Sequence, residues 1–213
     1  MEAVAIKPSH VTTGIRKILE LSFVYNFWQL ITGAENAKNT VIRDFVAAYS
    51  KAKVLDIGCG TGVMLDHMDK NLEVDYVGYD INQEYIDFAK KKYGDRGRFY
   101  CSSINETVLY EENFDIASAI AILHHLDNHE SEKLIELGKR SLKLGGYLIL
   151  SEPVWTDEQG WLEKALMSRD RGQNIRRKEE YIALAKTQFQ NVECTIIPGL
   201  MTIPWTICVL KCS

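Results

Sequence analysis

The chain has 213 residues, a formal net charge of −4, 46% hydrophobic residues and 25% charged residues. That size and balance fit one α/β domain burying its own core without disulfide or metal staples, and they exclude disordered, collagen-like and disulfide-scaffold chains. The negative balance gives no whole-chain attraction to phosphate backbones, so no nucleic-acid partner is expected.

The opening stretch, MEAVAIKPSH, carries an acid at once and lacks a basic segment followed by an apolar run. No secretory signal is expected there, and the cytoplasm is the default location. The stretch Leu21 to Ile31 is interrupted by Ser22, Asn26 and Gln29 and is about half of the roughly 20 residues a membrane span needs. Five cysteines, odd in number and without a C-x-x-C pair, fit reduced thiols. Cys208 and Cys212 would stand about 13 Å apart on one strand face, too far for a bond or a shared metal.

From Thr12 to Ser50 the pattern is helical: Ile15, Ile18, Leu19, Ser22 and Phe23 share a face, Gly33 breaks the run, and Val41, Phe45, Val46, Ala48 and Tyr49 begin another. Two helices are expected, giving a helical cap over residues 1–50 ahead of a domain over 51–213. From Lys53 short apolar runs alternate with charged, helix-period segments, the pattern of βαβ units and a mostly parallel, doubly wound sheet. Strands are expected at Lys53–Ile57, Val74–Asp80, Gly97–Cys101, Phe114–Ile120 and Tyr147–Glu152, with helices at Met64–Lys70, Gln83–Tyr93 and His129–Leu142. The third of these helices should stop at Lys143-Leu144-Gly145-Gly146. A helix over Lys178–Phe189 and strands at Asn191–Ile197 and Trp205–Lys211 complete the chain. With no crossover helix between them, the last two strands pair antiparallel or sit apart.

The most informative stretch is Val54-Leu55-Asp56-Ile57-Gly58-Cys59-Gly60-Thr61-Gly62, a buried strand running into three alternate glycines. Glycines there let the backbone turn sharply and approach a ligand, and the N–H groups of the following helix favour a polar or negative group. Asp80 stands 18 residues beyond Gly62, at the end of the next strand, where a carboxylate can accept from two ribose hydroxyls. A tight turn and a capping acid would explain each feature singly. Strand, glycine turn, helix, strand and acid in this order are far more specific. A nicotinamide-dependent dehydrogenase is disfavoured, because its G-x-G-x-x-G fingerprint needs a small residue at position 63, which is Val63.

VLDIGCGTG, Asp80, FDIASAIAILHHL and LKLGGYLILSEP resemble the successive motifs of class I S-adenosylmethionine-dependent methyltransferases. The resemblance covers about residues 41 to 213 and implies a seven-stranded, Rossmann-like sheet with an antiparallel last strand. It implies that Asp56, Gly58, Cys59, Gly60 and Gly62 line the methionine end of S-adenosylmethionine, that Asp80 holds its ribose and that Ile81 lies against its adenine. Ser103 and Ala119 are further cofactor contacts on this reading. Many members carry an acid after the third strand; Ser102 stands there instead, so the adenine amino group would meet its hydroxyl or backbone.

His124 and His125 fall at the carboxyl end of the fourth strand, where open α/β sheets place ligands, and either imidazole could take a proton from an attacking hydroxyl or amine. Packing and capping are the plain alternative. No zinc site is expected, since His124, His125 and His129 lack a Cys or acid at paired spacing. On the substrate side, Phe23, Tyr25, Phe27 and Trp28 crowd one helix, and Arg169, Arg171, Arg176 and Arg177 follow the fifth strand. Core packing and a solvated face are the bland readings; an aromatic wall and an anion-gripping lid are the functional ones, with Tyr25, Trp28, Arg169, Arg171 and Arg176 touching substrate. The expected function is metal-free methyl transfer to the O, N or C nucleophile of a small molecule, S-adenosylhomocysteine being the product. A cofactor-binding protein of the same fold without methyl transfer is the alternative. The chain has no Asn/Asp-Pro-Pro-aromatic run after the fourth strand, which disfavours amino methylation of bases or glutamine.

Overall fold

Alternating apolar and amphipathic runs fold here as alternating strands and helices. The structure, a computed structural model, describes residues 33–103 and 113–213. Strands β1 (Lys53–Ile57), β2 (Asp75–Asp80), β3 (Arg98–Cys101) and β4 (Phe114–Ile120) lie within one residue of expectation, as do β7 (Val192–Pro198) and β8 (Thr206–Cys212). Strand β5 (Leu142–Trp155) is longer than expected, and β6 (Arg176–Arg177) is a short strand the sequence did not suggest. The glycines at 145 and 146 do not stop a helix; they carry a register shift in β5 against β4 between Phe114 and Ile116. A side chain at Gly146 would press on the Asp115 and Phe114 carbonyls, at 2.9 and 3.0 Å.

The helices are α1 (Ala34–Val41), α2 (Met64–His67), α3 (Gln83–Tyr93), α4 (Asn128–Ser141), α5 (Trp161–Met167) and α6 (Lys178–Lys186). Local chemistry sets their ends. Asn82 accepts from the Glu84 and Tyr85 N–H groups to start α3, and a capping box of Asp127 and Glu130 starts α4. Three lysines fill the last turn of α3, where the helix dipole favours cations. Gly33, at φ 72°, is the start of α1, which runs on as a π-helical turn over Ile42–Val46. The second expected helix therefore begins at the glycine rather than near Val41. The first expected helix lies outside the described residues.

The sheet order is β3-β2-β1-β4-β5-β8-β7, with β6 pairing β5 off that path. Strands β1 to β5 pair in parallel, and β8 runs antiparallel to both β5 and β7. One face packs Leu55, Val77, Ala117, Leu148 and Leu210 against α4 and α6; the other packs Val54, Tyr76, Ile116 and Val209 against α1, α2 and α3. Helices on both faces explain why these strands read as continuous apolar runs. All five cysteines are free thiols. Among the described residues no helix is long and apolar enough to cross a membrane.

Candidate active site

The carboxyl ends of β1, β2, β4 and β5 converge on one edge of the sheet. There the chain leaves β1 through Gly58, Gly60 and Gly62, all at positive φ (71°, 53° and 75°). The three positions need glycine for different reasons. A Cβ on Gly58 would stand 2.1 Å from Ile122 Cδ1, and one on Gly62 would stand 2.8 Å from the Phe99 ring and 2.9 Å from that of Tyr93. A Cβ on Gly60 would meet nothing within 4 Å. Gly60 thus presents bare backbone to open space, whereas Gly62 serves close packing of the turn on β3 and α3.

Asp80, at the end of β2, closes this turn from the side. Its Oδ2 accepts the Gly60 N–H at 2.8 Å and its Oδ1 accepts the Asn82 N–H at 2.8 Å. A carboxylate offers about four acceptor sites, so two remain for a ligand diol. Ile81 follows with 57% of its surface exposed, an apolar side chain held in water beside the carboxylate. The Ser102 N–H bonds the Asp80 carbonyl at 3.0 Å, bringing β3's end to the same place, while the Ser102 hydroxyl turns to the Ser103 carbonyl.

Asp56 is buried on the face toward α1. It accepts from the Tyr76 hydroxyl at 2.6 Å and the Ser118 hydroxyl at 3.1 Å. Burial raises its pKa to about 6 against these two bonds, with Asp80 adding repulsion and Lys38 opposing it. Burial also pushes the Cys59 thiol well up, and its sulfur packs on Gly78, so Cys59 has only backbone to offer a ligand.

After β4 the backbone passes through Ala121 at φ 59° into a 3₁₀ turn, Leu123–His125. Glu152, buried in β5, holds this turn. Its carboxylate accepts the N–H groups of Ile122 (2.9 Å), Leu123 (2.8 Å) and His124 (3.2 Å), and its Oε2 lies 2.6 Å from His124 Nδ1. The other imidazole nitrogen, Nε2, lies 3.4 Å from Asp170 Oδ1. The segment carrying Asp170 lies directly on His124: the Asn174 N–H bonds the His124 carbonyl, and a Cβ on Gly172 would stand 2.0 Å from His124 Cδ2. His125 is half-buried with its ring centroid 4.0 Å from that of His124.

The structure thus brings Gly58, Gly60, Asp80, Ile81 and Ser102 together at one edge, with the histidine pair on the adjoining turn. Ala119 is fully buried in the core among the residues facing α4 and α6, which leaves its backbone alone to meet a cofactor. Arg176 is buried, and its guanidinium donates only to protein oxygens; it is no substrate grip. Arg169 is exposed and donates to the Ala165 carbonyl, and Arg171 is half-buried. Tyr25 and Trp28 lie outside the described residues. Sequence reasoning passed over Glu152, Asp170 and Ile122. For Glu152 a signal existed: it is an acid at an inward position of an otherwise apolar strand.

A depression of about 550 Å³ opens at the opposite edge, lined by Lys51, Lys53, Asp75, Asp115 and Lys143 among others. Its charges pair with one another, Lys143 and the Tyr49 hydroxyl on Asp115 and Lys53 with Asp75. It lies at the amino ends of the strands, away from the glycine turn. Parallel α/β sheets place ligands at the other end, so the site is assigned there.

A family described as "Methyltransferase domain" matches residues 54–146. Among curated relatives, the mitochondrial ubiquinone biosynthesis O-methyltransferase of Candida albicans is 32% identical over 116 residues, 51% of this chain and 35% of its own length. Phosphoethanolamine N-methyltransferase of Plasmodium falciparum is 24% identical over 147 residues, 68% of this chain and 54% of its own. The chain thus spans about a third to a half of these relatives. Among solved structures, the plantazolicin methyltransferase BpumL, crystallised with a monoazolic desmethylPZN analogue and S-adenosylhomocysteine, aligns at TM-score 0.67 and 15% identity, covering 93% of this chain and 90% of that one. That is a likeness of fold. The chain thus has a Rossmann-like fold shared with S-adenosylmethionine-dependent methyltransferases, and residues 54–146 within it match a methyltransferase domain.

Proposed function

We propose that this protein transfers the methyl group of S-adenosylmethionine to an O, N or C nucleophile of a small molecule. The observation that carries this reading is the pairing of the open Gly60 backbone with Asp80, whose spare acceptor sites and exposed neighbour Ile81 suit a ribose and an adenine. When bound, S-adenosylmethionine supplies a methyl group on a sulfonium, an electrophile that needs no acid to activate it.

What the chain contributes is position and exclusion of water. Asp80 holds the ribose hydroxyls, Ile81 covers one adenine face, and Ser102 and Ser103 border its edge. Asp56, Gly58 and the backbone of Cys59 shape the methionine end. The histidine pair supplies the proton acceptor for a hydroxyl or amine nucleophile: Glu152 fixes the His124 ring through Nδ1, and the His125 ring lies against it on the same turn. Arg169 and Arg171 form one wall of the acceptor site on this reading, with the cytoplasm as the location. The two curated relatives are named for O- and N-methylation, so the acceptor atom is left open among these classes.

The test is calorimetry with S-adenosylmethionine, S-adenosylhomocysteine and a nicotinamide dinucleotide in the presence of a chelator, followed by S-adenosylhomocysteine release across a panel of phenols, amines and carbon acids. Binding of the first two compounds and release with one acceptor class is the expected result. Binding without release from any class supports the fold relative lacking methyl transfer, and preference for the dinucleotide overturns the cofactor.

A further inference from the structure

We infer that Arg176 is a positioning residue for the cofactor turn, acting across the β4 turn through Ile122. The inference rests on the reading of the glycine turn as the S-adenosylmethionine site.

Arg176 is 6% exposed and directs a donor bond to five oxygens. Nε donates to Asn128 Oδ1 (3.0 Å), Nη1 to the Leu123 and Asn174 carbonyls (2.9 and 3.1 Å), and Nη2 to the Leu126 carbonyl and Ser131 Oγ (2.8 and 3.3 Å). A guanidinium has five N–H donors in a fixed fork, so its full capacity is spent on the β4 turn, the start of α4 and the segment before β6. Two of the acceptors, Leu123 and Leu126, are carbonyls of the 3₁₀ turn and its exit. Glu152 grips the amino end of the same turn through three backbone N–H groups. The turn is therefore clamped between a carboxylate at its amino end and a guanidinium at its carboxyl end, each with the sign that the local backbone dipoles favour.

The clamped turn reaches the cofactor site through one side chain. Ile122, whose N–H is held by Glu152, lies where a Gly58 side chain would be. Gly58 is in turn tied to β2 by its N–H on the Tyr79 carbonyl at 2.7 Å. A shift of the β4 turn moves Ile122 against Gly58, and packed contacts of this kind transmit displacement because interiors are dense. Arg176 thereby sets the shape of a site its own side chain does not touch. A lysine at 176 keeps the charge but offers three donors from a point, without the fork.

The experiment measures S-adenosylhomocysteine affinity by calorimetry for the wild type, Arg176→Lys, Ile122→Ala and the double variant, with melting temperatures recorded in parallel. Arg176→Lys is expected to weaken binding about three- to tenfold, within the roughly two- to thirtyfold span of coupling through contiguous contacts, and to shift the backbone amide resonances of Gly58 and Gly60. In the Ile122→Ala background the same substitution should change affinity less than twofold, since the route is already cut. Should Arg176→Lys fail to fold, Asn128→Ala removes one of the five acceptors at an exposed position, with a smaller loss in the same direction expected. Unchanged affinity in a folded Arg176 or Asn128 variant overturns the inference, as does an equal loss with and without Ile122. Absence of binding in the wild type overturns the cofactor site itself, a result distinct from either.

Discussion

The Asp80 carboxylate and the Gly60 backbone N–H, 20 residues apart in sequence, meet at 2.8 Å. That bond joins the end of β2 to the turn after β1, so the acid that would hold a ribose also shapes the glycine backbone beside it. Asp80→Ala removes both functions. Its affinity for S-adenosylhomocysteine should fall about 10- to 100-fold, the worth of hydrogen bonds to a charged group. Calorimetry decides it, and undiminished affinity would remove Asp80 from the site.

Asp56 supplies a pH dependence. Its pKa in the folded protein is about 6 against an ordinary 3.8, because burial outweighs the Tyr76 and Ser118 bonds. The folded state holds this proton more tightly than the unfolded chain does. Its contribution is therefore complete below 3.8 and is lost as the pH rises through 6, a change of about 3 kcal/mol. Asp56→Asn should be more stable than wild type at pH 7.5 and close to it at pH 4, measured by denaturant unfolding. A stability difference that does not change with pH would refute the assignment.

Two glycines separate packing from binding. Gly172→Ala drives a methyl group into the His124 ring and carbonyl, at 2.0 and 2.7 Å, and should cost about 1–3 kcal/mol of stability. Gly60→Ala meets no neighbour but is held at φ 53°, costing about 1–2 kcal/mol, and its methyl enters the space assigned to the cofactor. Gly60→Ala should therefore lose S-adenosylhomocysteine affinity out of proportion to its melting temperature. The opposite ranking would place the ligand elsewhere.

Glutamine at His124 or His125 tests the proton acceptor once an acceptor molecule is in hand. The variant lacking the working base should lose about 10²- to 10⁴-fold in turnover, with cofactor affinity near wild type. His124→Gln should also melt lower than His125→Gln, since the Glu152 and Asp170 carboxylates both face His124. Full activity in both single variants would exclude acid–base chemistry from this pair.

Periodicity and glycine spacing made the strands, the glycine turn and the place of Asp80 legible in the sequence, because each depends on neighbours a few residues away. Strand alternation forces Val54 and Asp56 onto one face, and three alternate glycines after a buried strand force a turn with exposed N–H groups. The roles of Glu152 and Arg176 were not legible. Glu152 meets N–H groups 28 to 30 residues away, and Arg176 meets carbonyls 50 and 53 residues away. A basic run after the fifth strand reads as a solvated lid from composition alone, yet β6 pairing with β5 turns Arg176 inward and leaves Arg177 exposed on Asp157. Local sequence thus determined which elements form and where the glycine turn lies. Only the tertiary structure, by bringing distant backbone groups to one edge of the sheet, decided which charges are spent holding that turn and which remain for a ligand.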